Sequence, residues 1–313
     1  MRFLRSYGLR WQRKRALARA FIRRRQLKSV VNRTADIKSD DILLFSTLRN
    51  EDLRLPFFLK YYRDLGVNHF LFVDNESTDG GATFLRNQPD VSLWSAKGSY
   101  KRARFGVDWL NWLQRKYGHN HWTLVVDPDE LLVYPFCDSR PLRALTDWLD
   151  ASSIKSFGAM LVDMYPKGPI DDTPYERGDD PLKVADWFDS GNYTIERNPK
   201  YGNLWIQGGA RARVFFGDMP QRAPALNKIP LVKWDRKYTY VSSTHSLLPR
   251  GLNLVYDEWG GEKASGVLLH AKFLDVFVQK SAEELDRRQH YAASHEYRAY
   301  QANLREKSNL WCP

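Results

Sequence analysis

The chain has 313 residues, 43% of them hydrophobic, enough to bury a sizeable core in one large domain or one domain with extensions. Its formal charge of +11 is unevenly placed: twelve of the 48 Lys and Arg lie in the first 33 residues, the first acidic residue is Asp36, and the remaining 36 basic residues nearly balance the 37 acidic ones. That balance excludes a domain-wide basic footprint for nucleic acid, and Cys137 and Cys312 alone are too few for a disulfide framework.

Residues 1–40 read as a basic amphipathic arm. Phe3, Leu4, Tyr7, Trp11, Ala18, Phe21 and Ile22 are interleaved among arginines, and Leu4, Tyr7, Trp11, Ala18 and Phe21 recur at near-helical spacing. Such a helix over residues 2–28 suits an anionic membrane surface, reached through residues 1–30. A solvated leader, a helix packed on its own domain and an Arg-rich transit peptide are the alternative readings. No apolar stretch follows the first arginines, unlike a secretory signal, and no run of 18 apolar residues spans a membrane. The expected location is cytoplasmic, optionally peripheral to the inner face of a membrane.

From Asp41 the pattern becomes regular. Ile42–Leu48 reads as a buried strand, Asp52–Leu65 as an amphipathic helix ending near Gly66, and His69–Val73 as a second strand ending at Asp74. A polar turn over 75–81 leads into a short helix at Ala82–Asn87; Val91–Trp94 is a third strand, Lys101–Tyr117 an aromatic-rich helix, and His121–Val126 a fourth strand. Strand–helix alternation at this spacing predicts an α/β fold with a mixed, mostly parallel central sheet. Ligands of such sheets bind beyond the strand carboxyl ends, where Thr47, Arg49, Asp74, Asn75 and Asp127 fall. Later strand-like runs are Gly158–Val162, Ala212–Phe216 and Gly266–His270. Residues 165–200 read as a polar excursion over the site, and Ser281–Glu306 as a charged helix.

The densest chemistry is Trp122–Pro135, an apolar run ending in Asp127, Asp129 and Glu130. Pro128 disfavours helix at Asp127, and in an extended segment residues two apart point the same way. Side-by-side carboxylates repel unless a cation lies between them, and a hard divalent ion carrying a phosphorylated substrate is the usual solution. The alternative is a strand followed by a turn, with Asp129 capping the next element.

Together these segments resemble glycosyltransferases of the GT-A fold, family 2-like. The match rests on Thr47-Leu48-Arg49-Asn50-Glu51, on Asp74-Asn75-Glu76-Ser77-Thr78-Asp79, on Asp127-Pro128-Asp129-Glu130 and on the late His270 segment, within about residues 41–305. The resemblance implies a Rossmann-like GT-A domain over 41–280 with a C-terminal helix and tail over 281–313. It implies transfer of a sugar, with inversion, from a UDP- or GDP-linked donor to a glycan or lipid-linked acceptor, with Mn²⁺ or Mg²⁺. Thr47, Arg49, Asp74, Asn75, Ser77, Asp79 and Arg104 would bind the donor; Asp127, Asp129 and His270 would hold the metal.

The acidic pair that usually supplies the catalytic base is missing from its expected window, so the base is sought among Glu258, Asp218 and Glu130, with Asp257 and Glu262 also available. Arg211 and Arg213, read as two cations on one side of a strand, and His245 are candidate acceptor contacts. Two other functions compete: a non-catalytic nucleotide- or glycan-binding module on the same fold, favoured by the missing pair, and a glycosidase, disfavoured because its carboxylates should flank a sugar.

Overall fold

The computed structural model describes residues 2–172, 174–257, 263–277 and 310–311, with side chains from Tyr7 onward. The helix expected over 281–306 and the candidate Glu258 lie outside the described residues. Helix α1 (Arg2–Arg23) leads into β1 (Leu27–Val31), then β2 (Ile42–Leu48), α2 (Leu55–Asp64), β3 (His69–Asp74), α3 (Gly81–Arg86), β4 (Val91–Ala96), α4 (Val107–Tyr117) and β5 (Trp122–Val125). There follow β6 (Glu130–Val133), α5 (Leu142–Ala151), β7 (Ser156–Asp163), β8 (Tyr193–Arg197), β9 (Leu204–Gly208), α6 (Gly209–Phe215), β10 (Asn227–Lys233), β11 (Thr239–Ser242), β12 (Ser246–Leu248) and β13 (Gly266–His270).

The chain forms the expected mixed α/β fold. Among the described residues, one nine-stranded sheet runs in the order β1-β4-β3-β2-β5-β10-β7-β13-β6. Strands β4, β3, β2 and β5 are parallel neighbours, as are β7 and β13, while β1, β10 and β6 join antiparallel. Strand β2 is buried along its whole length, as a strand covered on both faces must be. Its alternate residues feed two cores. Ile42, Leu44 and Leu48 pack with α2, α3 and α5, whereas Leu43 and Phe45 pack with Trp109, Leu110 and Leu113 of α4. No helix among the described residues is long and apolar enough to cross a membrane.

Four expectations need correction. Helix α2 starts at Leu55 instead of Asp52, because Pro56 suits a first turn and Asp52 is taken up by an ion pair with Arg177. The helix expected from Lys101 begins at Val107: Arg104, Phe105 and Gly106 all have positive φ, so the chain turns there before the helix can start. Residues 209–215 are helical, not a strand, so Arg211 and Arg213 diverge instead of sharing a side. The excursion over 165–200 includes β8, which hydrogen-bonds to β9 in a separate hairpin.

Candidate active site

The cleft opens beyond the carboxyl ends of β2 and β5. Its wall is built from Thr47, Tyr100, Phe105, Val107, Leu110, Val125, Val126, Asp127, Glu130, Tyr240, Ser243 and Thr244, around about 430 Å³ of space open to solvent. Gly106 is required here: its φ is 77°, and a Cβ at that position would lie 2.7 Å from Thr47 Oγ1. The buried hydroxyls of Thr47 and Thr244 have no hydrogen-bond partner among the described residues. Unpaired buried polar atoms on a cleft wall are costly unless a ligand takes them.

Asp127 to Glu130 form a tight turn in which Glu130 N donates to Asp127 O at 3.0 Å. The turn, with Pro128 well suited to its second position, sends Asp127 and Glu130 toward Lys228 and Asp129 toward His270, so the acids do not line up by strand alternation as the sequence suggests. Glu130 is buried, its side chain 2% exposed; Oε1 lies 2.9 Å from Lys228 Nζ on β10, and Oε2 accepts from Asp127 N at 3.2 Å. Asp127 is different. Its side chain is 52% exposed on the cleft, with Oδ2 3.9 Å from Lys228 Nζ. Desolvation where it meets the cleft wall, then the charge of Glu130, raise its pKa, with Lys228 opposing and the exposed half of the side chain limiting the rise. Burial works against the Lys228 ammonium, but Glu130 and then Asp127 outweigh it and hold the pKa above the ordinary lysine value.

Asp129 faces a second set of partners. Its Oδ2 lies 3.2 Å from His270 Nε2, while His270 Nδ1 lies 2.7 Å from Asp163 Oδ1. Asp163 in turn accepts from Arg211 Nε at 2.7 Å. Burial raises the Asp129 pKa, but His270, Arg54 and Lys272 outweigh it and hold the carboxyl well below the usual range. For His270, burial opposes the charged form, yet Asp129 and Asp163 prevail and raise its pKa. With a carboxylate at each nitrogen, the ring as arranged offers no lone pair to a cation. As arranged, His270 steadies Asp129 from behind.

The two upstream motifs clasp each other. Asn50 N donates to Ser77 Oγ, Thr78 N donates to Asn50 Oδ1, and Asp52 N donates to Asp79 Oδ2. Arg49 Nη1 donates to the carbonyls of Asn75 and Glu76, and Asn75 Nδ2 to those of Ala96 and Gly98. Asp74 accepts from Ser77 N and Oγ; burial raises its pKa while these bonds oppose the rise. Asp79 caps Gly81 N at the start of α3. These residues form a hydrogen-bonded frame beside the cleft, whose wall includes the preceding Thr47 but none of them.

The remaining candidates do not gather there. Arg104 pairs with the fully buried Asp108, which Arg19 of α1 also reaches at 3.1 Å. Arg211 is buried on Asp163, and Arg213 pairs with Asp189 at 2.8 Å. His245 donates from Nδ1 to Asn227 O, and burial, helped by Lys228, lowers its pKa to about 3. With Nδ1 engaged in this way, the ring is held neutral beside Asn227. Asp218 sits exposed after α6. Sequence reasoning missed Lys228, Tyr100 and Phe105 as residues of the cleft.

The donor set can be weighed against a divalent cation. Among the described residues no cluster of three His, Cys, Asp or Glu side chains is poised to hold a metal. Asp127 and Asp129 would supply at most two carboxylates, so a hard ion held there would need water and a substrate phosphate to complete its shell, as Mg²⁺ commonly does.

No family model matches the chain, and no curated protein matches it. Among solved structures, a 4-diphosphocytidyl-2C-methyl-D-erythritol synthase overlaps 44% of this chain and 63% of its own length, with 19% identity and a TM-score of 0.27. HddC from Yersinia pseudotuberculosis overlaps 78% of this chain and 98% of its own, at 8% identity and TM-score 0.30. An apo UDP-glucose pyrophosphorylase overlaps 86% and 88%, at 9% identity and TM-score 0.28. Overlaps this loose assign no family.

Proposed function

We propose that the chain is a metal-dependent glycosyltransferase that takes a sugar from a nucleotide-sugar donor. The observation that carries the reading is the convergence on one cleft, at the ends of parallel strands, of a half-exposed carboxylate, Asp127, and two unpaired buried hydroxyls, Thr47 and Thr244. Tyr100 and Phe105, with ring centroids 5.9 Å apart on the wall, offer aromatic surface for a nucleobase. The frame of Arg49, Asp74 and Asn75 keeps that wall in position, and Thr47 hydrogen-bonds the donor.

Asp127 and Asp129 hold Mn²⁺ or Mg²⁺ together with the donor diphosphate. When bound, such an ion stabilises the charge that develops on the departing diphosphate as the anomeric C–O bond breaks. His270 fixes the rotamer of Asp129, and Lys228 neutralises Glu130, so that Asp127 stays available to the ion. Glu130 is therefore reassigned from candidate base to buried counter-charge. The catalytic base stays with Glu258 or a neighbouring acid, and inversion with it.

The test is incubation with a panel of UDP- and GDP-linked sugars, following nucleoside diphosphate release with Mn²⁺ and with EDTA. Release from one donor, stopped by EDTA, supports the reading. Tight donor binding without release under any acceptor would favour the non-catalytic binding module instead.

A further inference from the structure

The outer face of α1 is built the wrong way round for a helix that merely covers a core. Its inner face packs on the domain through small residues, Ala16 at 3% and Ala20 at 0% exposure, beside α4 and β11. Arg19 anchors it to Asp108 and the Arg102 carbonyl, Gln12 to Tyr201, and Phe21 sets its ring edge-on against Trp112 at 5.8 Å. An ordinary surface helix turns its large apolar side chains inward. Here Tyr7, Trp11 and Ile22 are 65%, 56% and 62% exposed, and at 100° per residue they share one stripe with the exposed Ala18.

Basic side chains flank that stripe. Arg10, Lys14, Arg15 and Arg25 are all exposed, and no acidic residue precedes Asp36. Much of the positive charge of the molecule thus flanks an apolar stripe that runs from Tyr7 to Ile22, about 22 Å at 1.5 Å per residue. Phosphate alone would be satisfied by the basic residues and gives no use to Trp11 and Ile22. A bilayer surface uses both: apolar side chains enter the headgroup–acyl boundary while the cations meet anionic lipid.

We propose that α1 docks the protein on an anionic lipid surface, lying in the plane of the bilayer with Tyr7, Trp11 and Ile22 inserted. The proposal is independent of the reading of the cleft. Helix α1 covers α4, whose Val107 and Leu110 line that cleft, so the docked face and the cleft lie on the same side of the sheet.

The test is co-sedimentation of the full chain with phosphatidylcholine vesicles, with and without phosphatidylglycerol, at low and high salt. Two variants accompany it, Trp11→Ser/Ile22→Ser and Lys14→Glu/Arg15→Glu; a thermal melt matching the parent verifies their folding, since these side chains are largely exposed. Expected is capture by the anionic vesicles at least about tenfold stronger than by neutral ones, weakened by salt, and reduced about tenfold or more in either variant. Failure to sediment with anionic vesicles overturns the proposal. So does equal partition of the parent and the Trp11/Ile22 variant. Stronger retention on duplex DNA than on vesicles, lost only in the charge variant, would overturn it in favour of a nucleic-acid arm.

Discussion

Lys228→Met removes the positive partner of a buried carboxylate. The Lys228 and Glu130 side chains are 7% and 2% exposed and 2.9 Å apart, so Glu130 would be left in the interior with no counter-charge and one remaining bond, to Asp127 N. Breaking such a pair costs about 3–5 kcal/mol, a large share of the roughly 5–15 kcal/mol of a typical native state. At about 2–4 °C per kcal/mol for domains of this general size, the melting temperature should fall by roughly 10 °C. The assay is urea unfolding followed by tryptophan fluorescence, alongside a thermal melt. The double variant Lys228→Met/Glu130→Gln removes both charges and keeps an acceptor for Asp127 N; it should return to within about 1 kcal/mol of the parent, as paired charge removal often does. A single variant within about 1 kcal/mol of the parent would refute the account of a buried pair beneath the cleft. A double variant no better than the single would refute it as well.

Two further outcomes follow from the charges around the turn. Asp127, half-exposed on the cleft, has its pKa raised by desolvation and by Glu130, above the unfolded value of about 3.9, so ionising it costs folded-state stability as pH rises above that value. In EDTA at pH 8, Asp127→Asn should therefore unfold at a urea midpoint equal to or above the parent's, and yet lose metal-dependent nucleotide binding; a clearly lower midpoint would contradict this. Asp163 is the opposite case: burial is outweighed by Arg211 and His270, and its pKa falls to about 2. Its contribution is present above about pH 4 and lost as pH falls toward 2, a change on the order of 2 kcal/mol. In Asp163→Asn the urea midpoint should be lower at neutral pH and flatter across that acid interval; parallel pH profiles would count against the assignment.

The parallel half of the sheet was legible because each strand from β2 to β5 is a short apolar run closed by a polar residue, and the helices between them carry a buried stripe. The acids of the Asp127 turn were legible for the same reason. Lys228 was not, because β10 is interrupted by Pro230 at an irregularity in its pairing with β7, and proline argues against a central strand unless a bulge accommodates it. Arg211 and Arg213 were misread since alternating small and large residues over 210–215 imitate a strand. Ala210 and Ala212 are strong helix formers, and the paired Gly208 and Gly209, both at positive φ, turn the chain out of β9 into α6. His270 illustrates a third limit: its type and place at a strand end fit a metal ligand, but its partner Asp163 lies 107 positions away. Only the juxtaposition of β7 and β13 reveals that both ring nitrogens are taken.

The central claim is a metal-dependent nucleotide site at the Asp127–Asp129 turn, and calorimetric titration tests it most directly. UDP and GDP would each be titrated into the parent and into Asp129→Asn, with Mn²⁺ and then with EDTA. The account predicts that one nucleotide binds the parent in the micromolar range only with Mn²⁺, and that Asp129→Asn abolishes this binding while remaining folded. Binding of neither nucleotide, or binding indifferent to both EDTA and the substitution, would contradict it.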